Sequence, residues 1–307
     1  MYLSRRNAFS MVDLLAVLAS LGSLLALGAL LLGCTAIDSR QISCKNNMNQ
    51  LALGVLSFEA TQQRYPGYAN TVGEKPAGWA VPILPFLDHH DWYDEWQDPS
   101  VKLADVPKSY SDLFCCPNDP PTEASGPANS YVINAGAAPV ENEKPANGIA
   151  HNYRENGIFT NTEYVAANDG MSHTLLLSEN VQAGAWHVAE KQSNVFVWHA
   201  DGMNNRPRRR INGYGKQDRS LIKVPLTADS ARPSSFHSGG VNVAFCDRRT
   251  VFLRDDIDYT VYMQLMTPAG LESDMPEDAK KHPLQEIDFS EAQQQDPTSV
   301  LACSSEQ

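Results

Sequence analysis

The chain has 307 residues, of which 42% are hydrophobic and 20% are charged, so it is too apolar for wholesale disorder. A formal net charge of −12 excludes a protein built to grip phosphate backbones, and we expect no nucleic-acid partner. The 6 cysteines are too few for a small scaffold held together by disulfides. The composition therefore indicates an acidic globular body of one large domain or two small ones.

A long apolar stretch lies near the N-terminus. No charged residue occurs from Leu14 to Ile37, and about 20 consecutive apolar residues can span a bilayer as a helix. We therefore predict a transmembrane helix over residues 9–37, with the membrane as a partner, after a basic leader at residues 1–8. Arg5 and Arg6 favour a cytoplasmic N-terminus. We expect a single-pass inner-membrane protein with an extracytoplasmic body, which could lie at the cell surface.

The residues at the start of this stretch resemble the class III signal of type IV prepilins. They are Ala8, Phe9 and, at the fifth position counted from Phe9, Asp13. In that family a prepilin peptidase cuts before the Phe, the new amine can be methylated, and the acid pairs with the amine of a neighbouring subunit. The resemblance implies cleavage between Ala8 and Phe9, subunit pairing through Asp13, and other pilin-like subunits as partners. The family prefers Gly before the cut and Glu at the fifth position, so this chain departs at both.

Two alternatives for the same segment stay open. Leu31-Leu32-Gly33-Cys34 has the form of a lipobox, in which Cys34 would be lipidated and everything before it removed. The third possibility is an uncleaved anchor.

The apolar stretch continues into an amphipathic segment at residues 38–64. Its apolar residues include the i, i+3, i+4 and i+7 spacings of one helical stripe, so we predict a continuous helix from about 10 to 61. Tyr65-Pro66-Gly67 should end it, because Pro lacks a donor and Gly tolerates a turn.

Residues 65–270 read as an extracytoplasmic body of short strands separated by Pro-rich and Gly-rich loops, with a short helix at 88–96. The predicted strands are Trp79–Leu87, Ser130–Ala135, Gly157–Phe159, Thr174–Glu179, Val195–His199, Val241–Phe245 and Val251–Arg254. Residues 271–307 are acidic and poor in aromatics, so we predict a mostly disordered tail. The fold class is α+β and pilin-like: a long N-terminal transmembrane and amphipathic helix packed on a mainly antiparallel β-sheet.

Several short strings in the body carry a second resemblance. They include Cys44-Lys45-Asn46-Asn47-Met48, Cys116-Pro117-Asn118-Asp119-Pro120, Asp169-Gly170-Met171-Ser172-His173-Thr174 with Glu179, and His237 with Gly239-Gly240-Val241-Asn242. Together they resemble the large set of uncharacterised prepilin-like proteins abundant in planctomycete bacteria, whose C-terminal signature is His, nine residues, then Asp-Gly. The resemblance implies a pilin-like anchor and an extracytoplasmic body, without an established activity.

His237 and Asp247 occupy the signature positions, but Arg248 stands in place of the Gly. Ten extended residues could separate His237 from Asp247 by up to ~30 Å, so we predict no catalytic pair. Asp247 should instead form a turn between two strands. Arg248 then either adopts the left-handed conformation, at about 1 kcal/mol or more, or changes the turn type.

Metal ligation is weakly indicated. His89 and His90, between Asp88 and Asp91, are adjacent and point to different faces of a helix. The side chains of Asp255, Asp256 and Asp258 could offer oxygen ligands to calcium, but they lack the pattern of a known calcium loop. We predict no metal and no cofactor, and the calcium question stays open.

The cysteines predict a covalent tie. An extracytoplasmic body lies where disulfides persist, so we predict that Cys44, on the helix, bonds to Cys116, in a loop. Cys115 is the main rival partner. The bond would stabilise the fold by about 2–4 kcal/mol.

We find no converging nucleophile, base and oxyanion donor, so we do not expect an enzyme. The expected function is a structural or interaction role in a filament, a secretion apparatus or the cell envelope, as a pseudopilin-like, membrane-anchored protein processed by a prepilin peptidase. The alternatives are an envelope lipoprotein lipidated at Cys34 and an anchored extracytoplasmic enzyme.

Overall fold

The computed structural model describes residues 11–121, 126–138, 143–155, 157–190, 194–201, 209–213 and 231–281; the side chains of residues 13, 24–38 and 281 lie outside this description. The chain divides into two compact units, Met1–Arg40 with Gln295–Gln307, and Gln41–Gln294. The predicted leader at 1–8 and most of the predicted tail, residues 282–307, lie outside the described residues.

Helix α1 runs from Met11 to Gln62, so the expected continuous helix is confirmed. In its second part Met48, Leu51 and Val55 are fully buried and follow the three- and four-residue spacing of one helical stripe. The helix ends at Gln63, whose φ of 56° is left-handed and whose N–H donates to Glu59 O at 2.7 Å. The turn thus begins two residues before Tyr65-Pro66-Gly67.

The membrane prediction is wrong on the present structure. Across the described part of the chain, no helix combines the length and the apolarity needed to cross a membrane. This finding contradicts the predicted transmembrane helix at 9–37 and the predicted inner-membrane localisation with an extracytoplasmic or surface-exposed body.

The remaining elements lie in the second unit. The strands are β1 (Ala69–Val72), β2 (Lys75–Gly78), β3 (Tyr131–Ala138), β4 (Leu175–Glu179), β5 (Val195–His199), β6 (Gly240–Phe245) and β7 (Thr250–Arg254). The further helices are α2 (His90–Gln97), α3 (Thr162–Ala167) and α4 (Tyr259–Met266). Short 3-10 helices occur at Leu84–Leu87, Asp112–Phe114, Pro145–Asn147, Gly270–Glu272 and Ala279–Lys281.

The central sheet has five strands in the order β5-β3-β4-β6-β7, and β1 and β2 form a separate antiparallel hairpin. Strands β3–β4, β4–β6 and β6–β7 pair antiparallel, but β3 and β5 pair parallel. The predicted α+β class holds, whereas the mainly antiparallel sheet is corrected to a mixed one. Strand β3 lies between β4, which runs antiparallel to it, and β5, which runs parallel to it. The pattern of residues within each strand does not reveal which strands are neighbours in the sheet.

Both faces of the sheet are covered. In β5 the side chains alternate strictly: Val195 and Val197 join a core with the second part of α1, and Phe196 and Trp198 join a core with α4. This alternation follows from the two-residue period of a strand. Sheet burial on both sides explains why β3, β4, β5 and β6 are buried along their whole length.

Two predicted strands do not form. Trp79–Leu87 consists of turns and a 3-10 helix, because Pro82 and Pro85 lack the N–H that a ladder needs. Gly157–Phe159 has no regular structure. The ordered body also continues beyond residue 270, since Met275 and Ala279 are buried in the core beside α4.

Candidate functional site

The predicted disulfide is present and joins Cys44 of α1 to Cys116, with a Cα–Cα distance of 4.9 Å. Both residues are buried. The rival, Cys115, keeps a buried thiol that donates to Ala128 O, and burial raises the pKa of that thiol to about 12. Neighbouring cysteines differ in this way because they leave an extended backbone in opposite directions.

A buried His–Glu pair lies against this disulfide. His237 Nε2 is 3.1 Å from Glu179 Oε1 and 3.5 Å from Cys116 Sγ. Asn118 Nδ2–H donates to His237 Nδ1 at 2.9 Å, which leaves the Nε2–H of the imidazole to donate to the carboxylate. Both ring nitrogens of His237 are therefore hydrogen-bonded.

The carboxylate of Glu179 has further donors. Asn242 N–H donates to Oε2 at 2.7 Å, and Asn242 Nδ2 donates to Oε1 at 3.1 Å. Glu179 is 1% exposed and Asn242 is fully buried. A carboxylate is costly to bury unless it is hydrogen-bonded. Here the Glu179 carboxylate accepts from three N–H groups, one of His237 and two of Asn242.

The local sequence around Glu179 and His237 explains the position of each residue. Glu179 is the last residue of β4 and pairs with Tyr131 of β3. His237 stands just before β6, where its N–H donates to Ser235 Oγ at 3.0 Å. Gly239 follows with φ of 81°, a conformation that a residue without Cβ adopts at no steric cost. This bend brings the His237 ring back toward β4.

Asp247 has a different role from His237. Its Oδ1 accepts from Arg249 N–H at 2.9 Å, which is a side-chain turn at the end of the β6–β7 hairpin. The prediction that Asp247 forms a turn is confirmed. Arg248 takes φ of 71°, and its guanidinium donates to Asn49 Oδ1 of α1 at 2.8 and 3.1 Å.

The candidate calcium ligands do not converge. Asp256 pairs with Arg254, and Asp258 caps α4 by accepting from Thr260 N–H at 2.8 Å. Asp255 Oδ2 lies 3.4 Å from Asn212 Nδ2. These carboxylates face different partners, so the three residues form no shared oxygen cage.

The side chains of His89 and His90 have different surroundings. The ring of His89 stacks on Trp92 at 4.2 Å between centroids. The stack continues through Trp186 to Phe114, and His90 is exposed. This arrangement serves packing.

In the described parts of the chain, one group of metal-ligating residues converges. The ligand atoms of Cys44, Cys116, Glu179 and His237 all lie within 4.8 Å of one another, and all four residues are buried. The disulfide occupies both sulfurs in this structure. With its disulfide formed, the group is a structural clamp between α1 and the sheet.

Sequence reasoning gave no role to Glu179, Asn118 or Asn242, although all three stood in strings that carried the family resemblance. The available signal was an acid at the end of an apolar strand, since a buried carboxylate requires partners. Ala8 and Phe9 lie outside the described residues, as do the side chains of Asp13 and Cys34.

The fold and site define an α+β protein whose long helix is tied to a mixed sheet by a buried disulfide beside a His–Glu pair. A profile of the family described as "Protein of unknown function (DUF1559)" matches residues 38–260. The chain belongs to this family. No curated protein and no solved structure matches it.

Proposed function

We propose that this protein is a pseudopilin-like subunit with a structural or interaction role, and that it belongs among the prepilin-like members of its family. Its partners in this proposal are other pilin-like subunits and a prepilin peptidase. Catalysis is not part of the role.

The observation that carries the proposal is the apolar surface of the first part of α1. Its large side chains are at least half exposed in the isolated chain: Met11, Val12, Leu14, Leu15, Val17, Leu18 and Leu21. Apolar surface left in water costs about 25 cal/mol per Å², and patches of this kind mark interaction sites. The same helix of another subunit has the matching shape and chemistry, so helix–helix association would cover it.

The N-terminal sequence supports the same role. Cleavage between Ala8 and Phe9 would leave a new amine four residues before Asp13 in the sequence. That amine would pair with the Asp13 carboxylate of a neighbouring subunit, a favourable contact where the surroundings are apolar. The pair would set the register between subunits.

The body supports a scaffold role for the signature residues. His237 orients the carboxylate of Glu179 beside the disulfide, and Asp247 closes the hairpin that contacts α1 through Arg248. Arg248 takes the positive φ that Gly would supply in the His-x9-Asp-Gly signature. His237 is 6% exposed, so a substrate has no direct access to it.

The test uses the full-length chain, expressed with a prepilin peptidase. Mass spectrometry should give a mature N-terminus at Phe9, and chemical cross-linking should give oligomers. Asp13→Ala should lose most of the oligomers, whereas Asp91→Ala, an exposed acid on α2, should keep them.

Two outcomes would overturn the proposal. One is an intact Met1 together with a monomer at every concentration. The other is an N-terminal, diacylglyceryl-modified Cys34, which would establish the lipoprotein alternative instead.

A further inference from the structure

The four buried residues at the disulfide are arranged like a metal centre whose two sulfurs are bonded to each other. Their ligand atoms come from four separate parts of the fold: Cys44 from α1, Cys116 from the segment after a 3-10 helix, Glu179 from β4 and His237 from the loop before β6. Two sulfurs, one imidazole nitrogen and one carboxylate oxygen are typical zinc ligands. Four are the number that a closed tetrahedral site uses.

The distances suit that geometry. In a tetrahedral zinc site with bond lengths of about 2.0–2.3 Å, neighbouring ligand atoms lie roughly 3.3–3.8 Å apart. Here Cys116 Sγ lies 3.5 Å from His237 Nε2, which lies 3.1 Å from Glu179 Oε1. For an ion to enter between the four atoms, the two sulfurs have to separate and His237 Nε2 has to lose the proton that it donates to Glu179.

The outer contacts of Glu179 are those of a metal site, and the outer contact of His237 becomes one when the Asn118 amide rotates. Metal-bound histidines donate their other N–H to a fixed acceptor, and metal-bound carboxylates are hydrogen-bonded in turn. Asn118 already contacts His237 Nδ1, and Asn242 N–H already donates to Glu179 Oε2. When Nε2 holds a metal, Nδ1 carries the proton, and a rotated Asn118 amide would accept it through its oxygen.

The charge at the site also favours a cation. A buried carboxylate is ordinarily paired with a cation or bound to a metal. The donors to Glu179 are His237 and Asn242, neither of which is permanently charged. A divalent ion would supply the missing positive charge, and two thiolates select zinc over magnesium or calcium.

We propose that Cys44, Cys116, Glu179 and His237 form a redox-gated zinc site, which is closed by the disulfide when oxidised and binds Zn²⁺ when reduced. A dithiol donates two electrons to break the Cys44–Cys116 bond and becomes a cyclic disulfide. Its two protons pass to the cysteine sulfurs. Zinc then displaces both protons, so the ion replaces the covalent tie between α1 and the sheet.

The test uses the full-length chain reduced with a phosphine. The phosphine gives two electrons to the disulfide and takes the oxygen of one water to become a phosphine oxide, and the two protons of that water pass to the thiols. Co²⁺ is the spectroscopic probe and Zn²⁺ the competitor. The reduced chain should show the intense visible bands of tetrahedral Co²⁺ and a thiolate charge-transfer band, saturating at one ion per chain. Zn²⁺ should abolish both, and the oxidised chain should show neither.

Variants locate the ligands. His237→Gln and Glu179→Gln should each weaken binding by more than about 100-fold, and Asn118→Ala by about 10–100-fold. The matched controls Cys115→Ser and Cys246→Ser replace the two other described cysteines, and Cys34→Ser and Cys303→Ser cover the rest. All four controls should bind like the unchanged chain.

Folding is followed separately, because a substituted chain could unfold on reduction. Zn²⁺ should raise the melting temperature of the reduced chain and should not raise that of reduced His237→Gln. The proposal fails if the oxidised and reduced chains bind Co²⁺ equally. It also fails if no tetrahedral spectrum forms, or if binding survives loss of His237 and Glu179 but not of Cys115.

Discussion

The two parts of helix α1 have opposite relations to their surroundings. In residues 41–62 Cys44 forms a disulfide, Asn49 bonds to Arg248, and Leu51 is fully buried. In residues 11–23 the large apolar side chains are exposed, with Leu18 at 57%. One continuous helix therefore combines a part that specific contacts hold in the body with a part whose large apolar side chains are at least half exposed.

In the second part of α1, loss of the disulfide should lower the free energy of unfolding more than any other single change. Cys116→Ser frees a loop with a sequence separation of 72 residues, so the free energy of unfolding should fall by about 4 kcal/mol. Urea denaturation measures it. Cys115→Ser is the matched control and should cost less, about 1–2 kcal/mol for burying a hydroxyl; equal losses would mean that the wrong cysteine has been assigned.

Two Leu→Ala substitutions in the same helix compare the parts directly. Leu51→Ala removes a fully buried side chain and should cost about 2–5 kcal/mol. Leu18→Ala removes an exposed one and should stay within about 0.5 kcal/mol. Thermal and urea unfolding of the monomeric chain measure the loss of stability in each variant. Similar losses for Leu51→Ala and Leu18→Ala would contradict the difference between the two parts of α1.

Glu179→Gln tests the carboxylate next to the disulfide. It keeps the size of the side chain but removes charge-assisted hydrogen bonds from His237 and Asn242, so we expect a loss of about 2 kcal/mol. Glu95 of α2 is exposed, so the same substitution at that position serves as the control. Glu95→Gln should be neutral within about 0.5 kcal/mol in the same denaturation series.

Arg248 affects stability in two opposite ways: its guanidinium bonds to Asn49, and its backbone holds a strained positive φ. Arg248→Ala loses the guanidinium bonds to Asn49 Oδ1 and keeps a left-handed residue, whereas Arg248→Gly loses the same bonds and relieves the strain. Arg248→Gly should therefore be more stable than Arg248→Ala by about 1 kcal/mol. The reverse order in unfolding experiments would mean that φ at this position is not positive.

The smallest expected effect is a pH dependence from His187. Burial, and then the charge of Lys108, lower the pKa of this imidazole from 6.5 to about 4. The unfolded chain binds the proton first as pH falls, so stability should decrease between pH 6.5 and pH 4. After discounting for partial exposure we expect about 1 kcal/mol.

Stability curves from pH 4 to pH 7 check this expectation. His187→Gln should flatten the acid side of the curve, and the exposed His90→Gln should leave it unchanged. A steeper acid side for His187→Gln would reverse the assigned sign.

Local patterns predicted most of the elements, and pairing between distant residues was the part they missed. Short runs of strand-forming residues located β4, β5, β6 and β7, because such runs are a local property of the sequence. The parallel position of β5 depends on how the chain passes around β3, which no local pattern encodes. Cys44–Cys116 was predicted from compartment and loop position, whereas Glu179 went unassigned because its partners come from distant segments.

The most direct test of the clamp between α1 and the sheet is peptide mapping of the full-length chain, alkylated under denaturing conditions without reductant. We expect one cross-linked peptide pair that joins Cys44 to Cys116, with Cys115 and Cys246 alkylated. Alkylated Cys44, or a bond from Cys44 to Cys115, would contradict it.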